Sequence, residues 1–191
     1  MMRIITGSAK GKKLVSLEGD ATRPTSERIK EAVFSSIQFD VEGRRVLDLF
    51  AGSGQMGLEA LSRGAQRATF IDLSREAIDV VKTNARTIGF FDVSHFLVSD
   101  WRNYIRKASG REQYDLVFVD PPYAMECCAD VAAYLAEKEL IIPGAIVVLE
   151  SGEEEISLDD PRLSGYRGVK STHYGKKTFV NILFYEGREA E

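Results

Sequence analysis

The sequence predicts an α/β protein: a doubly wound, mostly parallel sheet with an antiparallel C-terminal hairpin, preceded by a short N-terminal hairpin-and-helix extension. Three observations carry this. Near-continuous apolar runs, such as residues 46–50 and 114–120, alternate with helical stretches, as strands buried on both faces do. The first run leads into a glycine-rich turn of the form G-x-G-x-x-G. Near the C-terminus two further runs, residues 168–174 and 178–185, meet around Gly175-Lys176-Lys177 with no helix between them, which reads as a hairpin.

The extension comprises residues 1–42. In it, Arg3-Ile4-Ile5 and Lys13-Leu14-Val15 flank Gly7 and Gly11, the pattern of a small hairpin. After Pro24, Thr25 or Ser26 can cap a helix running to about Gln38. Its residues Ile29, Ala32, Val33, Ser36 and Ile37 recur at i, i+3, i+4, i+7 and i+8, so one face packs. The body, residues 43–191, then alternates: strand 46–50, helix 57–63, strand 68–72, and a helix capped by Ser74 and running to about residue 88. Strands 95–98 and 114–120, a helix over 127–138 and strand 145–149 follow, and the hairpin closes the sheet.

A chain of 191 residues, 44% of them hydrophobic, has the material for one domain with a sizeable core. No apolar run approaches the ~18 residues of a membrane span, and the N-terminus lacks a signal-peptide pattern, so a cytoplasmic protein is expected. The net charge of −4 conceals an uneven distribution. Residues 1–30 carry seven bases against three acids, a local +4, and residues 165–191 carry +2, leaving −10 in between. A patch is what a phosphate backbone meets, so an acidic total does not exclude a nucleic-acid partner. The two cysteines, Cys127 and Cys128, are neighbours: a poor disulfide, no metal-ligand spacing, and no setting for a nucleophilic thiolate. His95 and His173 lie in no ligand motif, and no metal is expected.

The turn after the first strand reads Asp48-Leu-Phe50-Ala-Gly52-Ser53-Gly54-Gln-Met-Gly57. Glycines let a ligand approach bare backbone, and Asp72, at the end of the next strand, can accept hydrogen bonds from ribose hydroxyls. That much suits a dinucleotide or S-adenosylmethionine. Asp48 favours the second, because its carboxylate can meet the ammonium of a methionine moiety, whereas it would repel a pyrophosphate. Asp100 ends the third strand where an adenine amino group could be bound; a plain helix cap is its other reading. Phe50, Ser53, Leu73 and Trp101, beside these residues, complete the candidate donor-binding set.

Asp120-Pro121-Pro122-Tyr123 closes the fourth strand, at the carboxyl edge where doubly wound sheets bind ligands. An amine on an aromatic ring is a poor nucleophile because its lone pair is conjugated. A carboxylate acceptor and a backbone carbonyl, held by a stiff Pro-Pro turn, can hydrogen-bond both amine protons and favour a pyramidal nitrogen. Pro121 has no N–H to compete for those acceptors. Tyr123 can stack on a base, a contact worth ~1–3 kcal/mol. Asp120 can take the released proton.

These two motifs together resemble the Rossmann-like class I methyltransferases that act on exocyclic amines. More narrowly, Arg3-Ile-Ile-Thr-Gly7-Ser-Ala-Lys-Gly11-Lys-Lys-Leu14, Arg23-Pro-Thr-Ser-Glu-Arg28-Ile-Lys30-Glu31, residues 57–65 and Tyr174-Gly175 are similar to the RsmD family of bacterial 16S ribosomal RNA guanine-N2 methyltransferases. The resemblance covers nearly the whole chain. It implies a seven-stranded sheet, S-adenosylmethionine as donor with S-adenosylhomocysteine as product, and N2-methylguanine in 16S ribosomal RNA or the small subunit. By the same resemblance Asp48, Gly52, Gly54, Asp72 and Asp100 bind the donor, and Asp120 and Tyr123 act on the base. Gln55-Met56 departs from the more usual small pair, which alters loop packing. The extension is the expected RNA contact, through Lys10, Lys12, Lys13, Arg23, Arg28 and Lys30. A monomer is the default expectation.

Three other readings are distinguishable. An N6-adenine methyltransferase would use the same Asp-Pro-Pro-Tyr chemistry, but its DNA-acting members usually carry a recognition domain for which this chain has little room. A dehydrogenase would bind NADH instead of S-adenosylmethionine. A non-catalytic RNA-binding module would be expected to lose the donor-loop acids or Asp120, and all are present.

Overall fold

The computed structural model describes residues 2–17, 24–152, 156–175 and 178–187. They form two compact units, residues 1–101 and 102–191. In the first, α1 (Pro24–Ser36) precedes β1 (Arg45–Asp48), α2 (Gln55–Ser62), β2 (Arg67–Asp72), α3 (Arg75–Ile88) and β3 (Ser94–Val98). Its strands run parallel in the order β3-β2-β1, with Asp48 opposite Phe70 and Asp72 opposite Val98. Strand residues Val46, Leu47, Ala68, Phe70 and Ile71 are all buried, as the continuous apolar runs required. Ser74 caps α3 as expected, accepting from the Ala77 N–H at 3.2 Å.

The second unit holds α4 (Trp101–Ala108, which begins at the unit boundary), β4 (Tyr114–Val119), α5 (Cys128–Glu137), β5 (Ile141–Ser151), β6 (Tyr166–Tyr174) and β7 (Thr178–Tyr185). Strands β4 and β5 are parallel, while β7 pairs antiparallel with both β5 and β6. The expected class, a mostly parallel α/β sheet ending in an antiparallel hairpin, is the class observed. Helix α4 was foreshadowed only by the reading of Asp100 as a helix cap. Its buried residues Trp101, Tyr104, Ile105 and Ala108 stand at i, i+3, i+4 and i+7, and the Tyr104 hydroxyl bonds that of Tyr114. Cys127 and Cys128 are buried thiols. Among the described residues no helix is long and apolar enough to cross a membrane, and no His, Cys, Asp and Glu cluster could hold a metal.

The N-terminal hairpin is present but short. Among the described residues it has one antiparallel bridge, Arg3 with Lys13, supported by Ile4 N–H to Lys12 O at 2.9 Å, Leu14 N–H to Met2 O at 2.9 Å and Gly11 N–H to Ile4 O at 2.8 Å. The reason is competition for donors. The N–H groups of Ile5 and Thr6 bond the two carboxylate oxygens of Glu59 at 2.8 and 3.0 Å, and those of Ser8 and Ala9 bond Ser62. The segment is thus laid along α2. Gly7, at φ +88°, is obligatory there, since a Cβ would come within 1.8 Å of the Ser62 carbonyl oxygen. Helix α1 stops at Ser36, short of Gln38, with Ile29, Val33, Phe34 and Ile37 buried. The side chains of Thr25 and Ser26 and the turn residues Lys176 and Lys177 lie outside the described residues.

Candidate active site

The first unit carries the glycine turn. Asp48, last residue of β1, is buried, and its Oδ2 accepts the Gly57 N–H at 3.0 Å, tying the strand end to the first turn of α2. Burial pushes this carboxyl up to about 7, against the Gly57 N–H and with the repulsion of Asp72 added. A nearby cation would restore its charge.

The three glycines divide the work. Gly52, at φ +52°, faces open space, so it is where a ligand can approach the backbone; its N–H donates to Asp72 Oδ2 at 2.9 Å. Gly54, at φ +79°, makes the bend: its N–H bonds Ala51 O, and a Cβ would lie 2.7 Å from Val81 Cγ1. Gly57 lets α2 lie on β2, since a Cβ would come within 2.4 Å of the Phe70 ring. Asp72 also accepts from the Ser74 N–H at 2.8 Å, through its other oxygen. Each oxygen keeps a lone pair for a hydroxyl.

Beside Asp72, Leu73 is 74% exposed, an uncovered apolar side chain where a ring could lie. Phe50 is half-buried. Ser53 is buried, its hydroxyl donating to Met2 Sδ at 3.1 Å and its carbonyl accepting from the Asn84 amide at 2.9 Å. Asp100 is half-buried immediately before α4, and Trp101 is buried as its first residue.

The second unit carries Asp-Pro-Pro-Tyr. Asp120 is exposed just past the end of β4, and Pro121 is buried behind it. Tyr123 begins a short 3-10 turn, Tyr123–Met125, and is half-buried. Its hydroxyl lies 3.0 Å from Glu150 Oε1 and 2.9 Å from Thr178 Oγ1. Burial pushes the phenol up to about 12, the Thr178 bond opposing and the charge of Glu150 adding, so it stays protonated. Glu150 and Thr178 escaped the sequence reading. They stand 27 and 55 positions from Tyr123, and the only cue was a carboxylate ending an apolar strand.

Of the expected RNA contacts, Lys10, Lys12, Lys13 and Arg28 are exposed; Lys12 Nζ also donates to Ile88 O at 3.1 Å. Arg23 lies outside the described residues. Lys30 is a correction: it is 1% exposed and cannot meet a phosphate. Its ammonium donates to Arg3 O at 2.7 Å and pairs with Glu59 at 3.6 Å. Burial lowers its pKa, with Glu59 opposing. Glu59, fully buried, also accepts from Arg63 Nε at 2.9 Å. The cue to this cluster was a charge inside the apolar helix run Gly-Leu-Glu-Ala-Leu; its partners were not readable.

A family model described as Conserved hypothetical protein 95 matches residues 2–183. A Bacillus subtilis protein, YlbH, is 36% identical over 154 residues, covering 80% of this chain and 84% of the relative. Ribosomal RNA small subunit methyltransferase D of Haemophilus influenzae is 30% identical over 155 residues, covering 81% and 80%. The solved structure of yhhF from Escherichia coli matches with a TM-score of 0.84 at 27% identity, covering 98% of this chain and 99% of that one.

Proposed function

The chain belongs to the Conserved hypothetical protein 95 family, and from that membership we propose that it methylates N2 of a guanine in 16S ribosomal RNA, using S-adenosylmethionine. The observation that carries the reading is Asp120-Pro121-Pro122-Tyr123 at the carboxyl end of β4, with the Asp120 carboxylate exposed, in a chain that also bears the Asp48, Gly52 and Asp72 turn. The similarity to ribosomal RNA small subunit methyltransferase D of Haemophilus influenzae supports ribosomal RNA as the substrate.

The donor, when bound, supplies an electrophilic methyl carbon on a sulfonium. Asp48 would meet its ammonium, and the Asp72 carboxylate would accept from its ribose hydroxyls. Gly52 admits it to the backbone, with Phe50 and Ser53 in the same turn and Gly54 setting the bend. Leu73 and Trp101 flank the adenine, and Asp100 takes its amino group. Asp120 would accept one proton of the guanine amine and the carbonyl of the Pro-Pro turn the other, which favours a pyramidal nitrogen with its lone pair available for methylation. Transfer would form the C–N bond and break the donor's C–S bond, and Asp120 would take the amine proton and pass it to water. Tyr123 stacks on the unstacked base. Lys10, Lys12, Lys13 and Arg28 of the extension meet the RNA backbone, with the small ribosomal subunit or its RNA as partner. The protein acts as a cytoplasmic monomer without metal.

The test is methyl transfer from labelled S-adenosylmethionine to small-subunit particles and their RNA from a strain lacking the gene, followed by nucleoside digestion. Label in N2-methylguanosine is the expected result. Label in N6-methyladenosine would keep the chemistry and overturn the base. Absence of label with donor binding intact would point to another substrate or to a binding protein.

A further inference from the structure

Asp-Pro-Pro-Tyr does not by itself hold its aromatic ring. The turn Tyr123–Met125 is a single 3-10 turn that ends on Glu126 at φ +42°, with Met125 exposed, so local structure around the ring is weak. What holds the ring comes from elsewhere in the second unit. We propose that Glu150, on β5, and Thr178, at the start of β7, are positioning residues that fix the plane of the Tyr123 ring through its hydroxyl, and so set the wall on which the acceptor base stacks. The inference rests on the methyltransferase reading above.

The hydrogen-bond chemistry fixes the direction of each contact. A phenol has one proton. An ionised Glu150 can only accept, so the hydroxyl donates to Oε1 at 3.0 Å, and its oxygen then accepts the Thr178 hydroxyl proton at 2.9 Å. With both partners in place the hydroxyl is engaged on its donor and its acceptor side, and the ring face is what remains for a base. A third constraint is steric. Gly152, just past β5, carries no Cβ, and one built there would lie 2.9 Å from Tyr123 Cβ and 3.0 Å from Cγ. The ring therefore lies against bare backbone at its root and is tethered by two strands at its tip. A hydroxyl satisfied by solvent would stabilise the fold as well; a two-strand tether limits the ring to one orientation. Methyl transfer needs that, because small displacements of an aligned acceptor lower the rate steeply.

The experiment uses the full chain with 16S RNA particles. Tyr123→Phe keeps the ring and removes the tether; kcat is expected to fall about tenfold while the donor KM stays unchanged. Glu150→Leu, which leaves the Thr178 bond, should give a loss no larger than that of Tyr123→Phe. Glu150→Gln, whose amide oxygen can still accept the phenol proton, should restore most of it. The decisive variant is the double. If Glu150 acts through the Tyr123 hydroxyl, Tyr123→Phe with Glu150→Leu is no slower than Tyr123→Phe alone, whereas independent effects would multiply. Multiplication, or wild-type kcat in both single variants, overturns the proposal.

A second readout needs no activity: aromatic 13C relaxation of Tyr123, identified as the tyrosine signal lost in Tyr123→Phe. The ring should be rigid in the wild type, with an order parameter close to that of the surrounding backbone, and mobile in Glu150→Leu and Thr178→Val. A ring already mobile in the wild type overturns the tether whatever the enzyme does. A rigid ring that loosens in those variants, in a chain that transfers no methyl, keeps the tether and overturns the reading of function instead.

Discussion

Asp48→Asn separates what the donor loop needs for function from what the fold would prefer. Burial raises the Asp48 carboxyl from 3.8 to about 7 in the folded chain. A shift of about 3 units corresponds to about 4 kcal/mol. The sign follows from where the proton is held more tightly. Below about pH 4 the group is protonated folded or unfolded, and it costs nothing. Between about pH 4 and about pH 7 the unfolded chain ionises and the folded one resists, so stability is lost through this window and is level above it. Asparagine does not titrate, and its Oδ1 can still accept the Gly57 N–H that Asp48 Oδ2 now accepts at 3.0 Å. The stability advantage of Asp48→Asn should therefore grow by about 4 kcal/mol between about pH 4 and about pH 8, measured by urea denaturation. Donor titration on the same samples should give the opposite ranking. Wild-type affinity rises with pH until Asp48 is ionised near pH 7, and the variant binds weakly at every pH. Stability curves for the two proteins that run parallel across the window would refute the burial argument, and an unchanged donor affinity would refute the assigned contact.

Other outcomes follow from the remaining charged groups. Asp120→Ala should lower kcat by at least about a hundredfold with donor affinity near normal, read by single-turnover transfer beside a donor titration; equal loss of both would mean its role is misassigned. Lys30→Met leaves Glu59 buried without its ammonium and should cost about 3–5 kcal/mol in urea denaturation, while Lys30→Met combined with Glu59→Leu costs less than Glu59→Leu added to it. Neutralising Lys10, Lys13 and Arg28 to Gln should weaken RNA binding and flatten its dependence on salt with no change in melting temperature; an unchanged slope would move the RNA surface elsewhere.

What the sequence disclosed, and what it hid, divides along one physical line. Strands announce themselves by what they bury, so β1, β2 and β4 were legible within a residue or two, and Thr178–Tyr185 is bounded as its pattern predicts. The glycine turn and Asp-Pro-Pro-Tyr were legible because their chemistry is local. Helix α4 was hinted at only by Asp100 as a possible cap, although Trp101, Tyr104, Ile105 and Ala108 have helical spacing, because eight residues make too short a window. Contacts between distant residues left almost no trace. Lys30 reads as one more surface base until Glu59 is found beside it, and Tyr123 reads as a free ring until Glu150 and Thr178 close on its hydroxyl. A buried charge is invisible in composition because its partner may stand anywhere in the chain.

The way the N-terminal segment is stitched down has a consequence for how this protein can change. Glu59 and Ser62 grip it by the amides of Ile5, Thr6, Ser8 and Ala9, and Asn84 holds both the N–H and the carbonyl of Val15, at 2.7 and 2.9 Å. Main-chain anchors are indifferent to the side chains they carry. The outward positions 6, 10 and 13 are therefore a set of interchangeable fittings on a fixed rail, open to re-equipping without loosening the rail. A residue inserted or deleted between two anchors, by contrast, would throw those on either side of it out of register.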